Sequence, residues 1–191
     1  MTKTAKMDKH VARRFKELGS AGEYLTEQLL KDNGFANIRN LNHDQMNFPF
    51  ADFYAERNNI RYVISAKTRN KYEWSPDTTK KRLNSRYNLG SKCYEHAELA
   101  QNQFKAEAAW LTIAIDSKTF SAYFGLLSGL DGSLGVTMTE KATSKYECFA
   151  KDQEHGLDFK SFLNVYESVA SPKKGTEIKK TRKIKGIFYG S

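Results

Sequence analysis

Hydrophobic and polar residues alternate along residues 51–67 in the pattern of a β-hairpin. Residues 51–55 form a first predicted strand, residues 57–59 a turn, and residues 60–67 a second strand rich in Ile, Tyr and Val. Successive side chains of a strand point to opposite faces. The second strand therefore has two different faces. The apolar face consists of Tyr62, Ile64 and Ala66, and the opposite face, which ends in an amine, consists of Val63, Ser65 and Lys67.

The rest of the pattern predicts a helix and a strand before this hairpin, and a helix and more strands after it. Residues 91–109 are predicted to be helical because small and apolar residues form one stripe: Cys93, Ala97, Ala100, Phe104 and Ala108. Residues 110–115 predict a buried strand, and residues 120–127 predict a further strand after a turn. Residues 157–169 predict a late amphipathic helix. This order of elements predicts an α/β fold with a mixed central β-sheet flanked by helices.

The length and composition bound the domain organisation. The chain has 191 residues, of which 39% are hydrophobic and 13% aromatic, enough for one domain with its own core. We expect that domain over residues 19–170. A basic, helical extension is expected at residues 1–18, where Val11, Phe15 and Leu18 recur at helical spacing, and a basic tail at residues 171–191.

The hairpin carries candidate chemistry at its ends, where Asp52 opens one strand and Lys67 closes the other. If Asp52 lies on the face of Lys67, a carboxylate and an amine share one site. One or two carboxylates and a substrate phosphate suffice to hold Mg²⁺, and a neighbouring lysine adds positive charge near that phosphate. Such a pair is suited to cutting phosphodiester bonds. Four histidines and two cysteines are scattered without a zinc-binding motif, so a zinc enzyme is not expected.

Three motifs over residues 19–115 resemble the PD-(D/E)XK nuclease superfamily, in particular archaeal Holliday-junction resolvases and Mrr-like restriction enzymes. These motifs are Gly22-Glu23 on the first helix, Pro49-Phe50-Ala51-Asp52 before a strand, and Ser65-Ala66-Lys67 thirteen residues after Asp52. The resemblance implies a restriction-endonuclease-like core and a bound Mg²⁺ or Mn²⁺. It implies that Asp52 binds the metal and that Glu23 joins the metal shell. Ser65 would be a second ligand or a water-positioning group, and Lys67 would orient the attacking water.

Ser65 departs from the family pattern, because most members place Glu, Asp or Gln at that position. Some type II restriction enzymes in the superfamily carry Ser-X-Lys and supply the missing carboxylate from a later helix. Here Glu95 or Glu98 is the candidate donor. The alternative is a decayed nuclease that binds nucleic acid without cutting it.

Each candidate residue also has a structural interpretation. Ser20 and Glu23 fit a capping box in which the serine begins the helix and the glutamate reaches back to it. Asp52 fits a solvated strand end, and Lys67 fits a charge that protects an edge strand. His43-Asp44 is interpreted as a loop pair.

The charge pattern predicts a polyanionic partner. The chain has 31 Lys and Arg against 22 Asp and Glu, a formal net charge of +9 and a pI of about 9.4. Residues 67–92 are basic and contain aromatic residues, and residues 173–185 are basic again. The candidate nucleic-acid-binding residues are Arg69, Lys71, Trp74, Lys80, Lys81, Arg82, Arg86, Lys179, Lys180, Arg182 and Lys183. A solvated loop remains the alternative for the first segment, and a localisation signal for the second.

Duplex or branched DNA is the expected partner, with RNA as the alternative. A symmetric dimer would be the simplest way to cut both strands of a duplex. No apolar run has the length of a membrane span and no signal-peptide pattern is present, so no membrane partner is expected. Cys93 and Cys148 are expected to be reduced thiols, which favours a cytoplasmic protein.

Overall fold

A computed structural model describes residues 9–44, 48–74, 81–116 and 118–155. Its helices and strands, in chain order, are α1 Lys9–Asp32, β1 Ala36–Asn40, α2 Leu41–Asp44, β2 Phe53–Arg57, β3 Ile60–Asn70, β4 Tyr72–Trp74, β5 Lys81–Leu83, β6 Arg86–Asn88, α3 Cys93–Phe104, β7 Glu107–Ile115, β8 Thr119–Leu126, a 3-10 helix Leu127–Leu130, β9 Gly135–Thr137, α4 Glu140–Thr143 and β10 Glu147–Glu154. The expected helix at 157–169 lies outside the described residues.

Six strands form one mixed sheet in the order β1-β2-β3-β7-β8-β10. Strands β3 and β7 are parallel, and every other neighbouring pair in this sheet is antiparallel. The strand pairs β4-β5 and β6-β9 form two small separate sheets. The predicted α/β class with a mixed central sheet and flanking helices is confirmed.

The hairpin between β2 and β3 turns through Asn58 and Asn59, whose φ angles are 53° and 64°. Two residues in the left-handed region form the tight turn whose twist matches that of paired strands, and asparagine tolerates that conformation. This turn fixes the register that pairs Phe53 with Ile64. It therefore places Asp52 beside the middle of β3.

Each face of the sheet has its own core. On the α1 face, Tyr62 and Ile64 belong to a cluster with leucines of α1. On the α3 face, Val63 clusters with Trp110 and small residues of α3. The alternation of β3 is therefore as the sequence predicted, and Ser65 lies on the α3 face.

Helix α1 runs from Lys9 to Asp32 without interruption, so Ser20 lies inside it and does not begin it. The capping-box interpretation of Glu23 is therefore wrong. The helix approaches β3 closely at Gly22, where an added Cβ would lie 2.1 Å from Thr68 Oγ1. This contact places Gly22, the residue before Glu23, against β3 one residue beyond Lys67.

Two other predicted elements differ from the structure. The helix predicted at residues 91–109 ends at Phe104, because Lys105 adopts a left-handed conformation with a φ of 49° and bonds back to Gln101 O. Ala108 consequently lies in β7 and not on the helix. His43-Asp44 closes the short helix α2 and does not lie in a loop. No helix in the described part of the chain is long and apolar enough to cross a membrane.

Candidate functional site

Asp52 and Lys67 meet on one side of β3. The Asp52 backbone N–H donates to Ile64 O at 2.9 Å, which holds Asp52 against the strand. Its Oδ2 accepts the Ala66 backbone N–H at 2.8 Å and lies 3.3 Å from Lys67 Nζ. The Asp52 and Lys67 side chains are 25% and 22% exposed, so a ligand can reach them from solvent. Asp52 precedes β2 and does not open it, and its side chain reaches Lys67, which is the condition on which the sequence prediction rested.

Glu23 is held by two asparagine side chains. Asn42 Nδ2 donates to Glu23 Oε1 at 3.1 Å, and Asn40 Nδ2 donates to Glu23 Oε2 at 3.5 Å. The residue between them, Leu41, donates its backbone N–H to Asp52 O at 2.9 Å. Residues 40–42, called the 40–42 bridge below, therefore contact both carboxylate-bearing residues.

Ser65 is buried, with 1% of its surface exposed. It pairs with Trp110 in the parallel register of β3 and β7. Its Oγ has no hydrogen-bond partner among the described residues. A buried hydroxyl without a partner carries a desolvation cost of about 1–3 kcal/mol, so the position is costly for stability.

Tyr87 belongs to the core of the α3 face. The side chain is 1% exposed, and its hydroxyl has no hydrogen-bond partner within the described ranges. Burial raises the pKa of Tyr87, and the positive charge of Arg69 opposes that rise. Tyr87 therefore packs in the core near Arg69. Although it belongs to the basic segment at residues 67–92, its ring is not exposed for stacking against a nucleic-acid base.

The two later carboxylates, Glu95 and Glu98, belong to α3. Glu95 and Glu98 are exposed on α3, whose residues Cys93 and Ala97 are buried. Glu95 lies 3.6 Å from Lys92 Nζ. Among the residues that the structure describes, no three His, Cys, Asp or Glu side chains lie close enough together to hold a metal ion.

The basic residues that are described lie at the surface or in ion pairs. Arg69, Arg82 and Arg86 are exposed, and Arg86 donates to Ser133 Oγ at 3.3 Å. Lys71 Nζ lies 2.7 Å from Asp152 Oδ1. The predicted contacts that fall outside the described residues or side chains are Trp74, Lys80, Lys81, Lys179, Lys180, Arg182 and Lys183.

The sequence did not predict that Asn40 and Asn42 of the 40–42 bridge contact a candidate site residue. The sequence offered one signal, a helix-start pattern, because Asn40 ends β1 and its Oδ1 accepts the Asn42 backbone N–H at 3.0 Å. That pattern predicts a helix start, but it does not indicate that the amide groups reach Glu23, seventeen and nineteen residues earlier in the chain.

No protein-family profile matches this chain, and no curated protein matches it. Among solved structures, it is similar to Hjc, a Holliday junction resolvase from Archaeoglobus fulgidus. The two chains are 16% identical, with a TM-score of 0.40 over 73% of this chain and 92% of the other.

Proposed function

We propose that this chain is a divalent-metal-dependent endonuclease that hydrolyses DNA phosphodiester bonds. The observation that supports this proposal best is the 3.3 Å contact between Lys67 Nζ and Asp52 Oδ2. The contact joins a carboxylate and an ammonium group that are both partly exposed. A position beside β3 that offers both groups to solvent suits a reaction in which charge develops on a phosphate.

The donor set near Lys67 fits magnesium or manganese, which prefer oxygen ligands. Asp52 and Glu23 would hold the ion, with further positions left to water and substrate phosphate. Both bonds of the Asp52 side chain within the described residues use Oδ2, which leaves Oδ1 to face a cation. The chemistry supplied by the bound ion is activation of a water and neutralisation of phosphate charge.

The protein's own groups have distinct tasks in this proposal. The Ala66 backbone N–H fixes the Asp52 carboxylate, so the orientation of Asp52 does not depend on the metal. Lys67 orients the attacking water and stabilises negative charge on the phosphate as the bond breaks. Ser65 would position that water, which requires its hydroxyl to become accessible when substrate binds. Glu95 and Glu98, exposed on α3, are the weaker candidates for a further acidic ligand.

The net charge of +9 and the exposed arginines support a nucleic-acid substrate. We propose DNA, duplex or branched, with RNA as the alternative substrate. A restriction or defence role is the biological setting that the motif resemblance favours. The expected homodimer stays a prediction, as does the cytoplasmic location.

A second function is favoured by one observation, the burial of Ser65. A serine is a weak ligand for a hard cation, and this one is enclosed. A protein that binds nucleic acid and does not cut it would retain the basic surface and lose the ligand set. Metal dependence distinguishes this alternative from the nuclease.

Cleavage of supercoiled plasmid, linear duplex, four-way junction and RNA should be measured with Mg²⁺, Mn²⁺ or chelator. We expect metal-dependent cutting of DNA by the wild type and a loss of about 100-fold or more in Lys67→Met, because a charge-stabilising group is removed. Lys31→Met is the matched control, since Lys31 forms a 2.7 Å ion pair with Glu27 on the exposed surface of α1. If the wild type binds DNA but cuts no substrate with either metal, the non-cutting alternative replaces the nuclease.

A further inference from the structure

The 40–42 bridge contacts the two residues proposed to hold the metal, and it does so in two different ways. Its side chains bond to the Glu23 carboxylate, and its backbone bonds to Asp52. Glu23 belongs to α1, whereas Asp52 precedes β2, so the two carboxylates reach the site from separate elements. The described structure links them through this three-residue segment.

The bonds to Glu23 use both carboxylate oxygens. Oε1 accepts from Asn42 at 3.1 Å and Oε2 accepts from Asn40 at 3.5 Å. Two donors on two oxygens fix both the position and the rotation of a carboxylate, as a single donor would not. The Glu23 side chain is therefore oriented in the protein before any cation arrives.

The bridge is itself rigidly held. Asn40 Oδ1 accepts the Asn42 backbone N–H at 3.0 Å, which begins α2. Leu41 is 2% exposed and belongs to the core of the α3 face. Each asparagine thus presents its amide group from a backbone that is anchored in the core on one side and bonded to Asp52 on the other.

We infer that Asn40 and Asn42 are positioning residues that set the Glu23 carboxylate relative to Asp52 for binding a divalent cation. This inference rests on the proposed function, because it concerns the same metal site. Removing a group that orients a metal ligand through a hydrogen bond lowers the metal affinity or the activity by about 10–100-fold. The asparagines act through Glu23 and need not touch the metal.

The test compares Asn42→Ala with Asn37→Ala. Asn37 also donates its amide to a glutamate, with its Nδ2 2.9 Å from Glu56 Oε2, but on the exposed surface of β1 and β2. Binding of Mn²⁺ to the full chain is measured directly by paramagnetic resonance of the free ion. The Mg²⁺ concentration that gives half-maximal DNA cutting is measured in parallel, with the thermal midpoint of each variant as a check of folding.

We expect Asn42→Ala to weaken Mn²⁺ binding and to raise the half-maximal Mg²⁺ concentration, each by about 10-fold. The loss of cutting should shrink as Mg²⁺ is raised. Asn37→Ala should keep the wild-type metal dependence, even if its left-handed φ of 52° makes alanine costly for stability.

Asn40→Ser provides a second variant that keeps the helix start. Serine accepts the same backbone N–H as a helix cap but has no amide to donate to Glu23. We expect it to weaken Mn²⁺ binding by a smaller factor than Asn42→Ala, because the bond it removes is the longer one.

Two results would overturn the inference, and they are distinguishable. If the wild type binds Mn²⁺ and cuts DNA while folded Asn42→Ala and Asn40→Ser keep its metal affinity, the asparagines are structural and the nuclease proposal survives. If the wild type neither binds Mn²⁺ nor cuts DNA, both proposals fail together.

Discussion

Two clusters of one lysine, one aspartate and one serine lie on the central sheet, and they differ in how completely their groups are paired. In the first, Lys71 lies 2.7 Å from Asp152, and Ser121 Oγ donates to the same aspartate oxygen at 3.2 Å. The Asp152 backbone N–H donates in turn to Ser121 Oγ at 3.0 Å. Lys71 lowers the pKa of Asp152, and Asp152 raises the pKa of Lys71. This cluster satisfies its own charges.

The second cluster, Lys67, Asp52 and Ser65, is less complete. Its lysine–aspartate distance is longer, at 3.3 Å, and Ser65 Oγ is buried without a partner among the described residues. The Lys71 cluster pairs its charges internally, whereas the Lys67 cluster leaves a buried hydroxyl without a partner among the described residues. Under the proposed function, the Lys67 cluster would bind a further group.

The largest expected contrast comes from the two aspartates. Asp52→Asn should reduce metal-dependent DNA cutting by more than about 100-fold, because the loss of a metal ligand outweighs that of a group that only orients one. Asp152→Asn changes a lysine-paired aspartate in the same way and should cut at a rate within about twofold of the wild type, since pairs of this kind contribute little beyond local stability. Initial rates at saturating DNA and Mg²⁺ provide the comparison. Equal rates in the two variants would remove Asp52 from the proposed site.

A second contrast concerns the glycines of α1. Gly22→Ala places a Cβ 2.1 Å from Thr68 Oγ1 and 2.7 Å from Thr68 Cβ, so α1 must move away from β3. We expect a loss of about 1–3 kcal/mol in the free energy of unfolding, and reduced cutting because the adjacent Glu23 moves as well.

Gly19→Ala is the matched control, because nothing lies within 4 Å of its added Cβ. It should stabilise the helix by about 0.5–1 kcal/mol. Denaturant unfolding measures both changes. A Gly22→Ala protein as stable as Gly19→Ala would show that α1 and β3 are not in close contact at this point.

The sequence predicted the residues of the Lys67 cluster better than it predicted the asparagines that hold Glu23. Strand alternation and the Asn58-Asn59 turn depend on neighbouring residues, so the hairpin and the two faces of β3 followed from local pattern, whereas the meeting of Asp52 with Lys67 was only a condition of the prediction. The contact of Asn42 with Glu23 depends on how α2 sits against α1, which no local pattern encodes.

The same limit explains the wrong helix boundaries. Ser20 has the sequence of a helix start but lies within α1, because the helical pattern continues on both sides of it. The end of α3 depends on a left-handed lysine, Lys105, a residue type without a preference for that conformation. Strand β10 pairs with β8 through register shifts that break a simple alternation, so its pattern was not recognised.

A third contrast separates the two serines. Ser65→Ala removes a hydroxyl that has no partner within the described residues. We therefore expect this variant to be more stable than the wild type, with a free energy of unfolding higher by up to about 1 kcal/mol. Ser121→Ala removes the bonds to Asp152 and should destabilise the protein by about 0.5–1.5 kcal/mol. If Ser65 positions the attacking water, its alanine variant should also cut more slowly despite its greater stability. A stabilised variant with unchanged cutting would leave Ser65 without a role in the reaction.

The smallest expected effect is the pH dependence of the Lys71–Asp152 pair. The pKa of Asp152 is lower in the folded protein than its usual value of 3.8. The ionised Asp152 therefore adds to the free energy of unfolding above about pH 4, and this stabilisation is lost as the pH falls through the lowered pKa. Because the Asp152 side chain is 54% exposed, water and salt screen the pair, and a contribution of about 0.2–1 kcal/mol is expected at pH 7. Asp152→Asn should therefore be less stable than the wild type at pH 7, and the difference should narrow below pH 4 and in high salt. Urea unfolding at pH 7 and pH 3 measures this difference. A difference that stays constant between these pH values would mean that the loss comes from the Ser121 hydrogen bonds and not from the charge of Asp152.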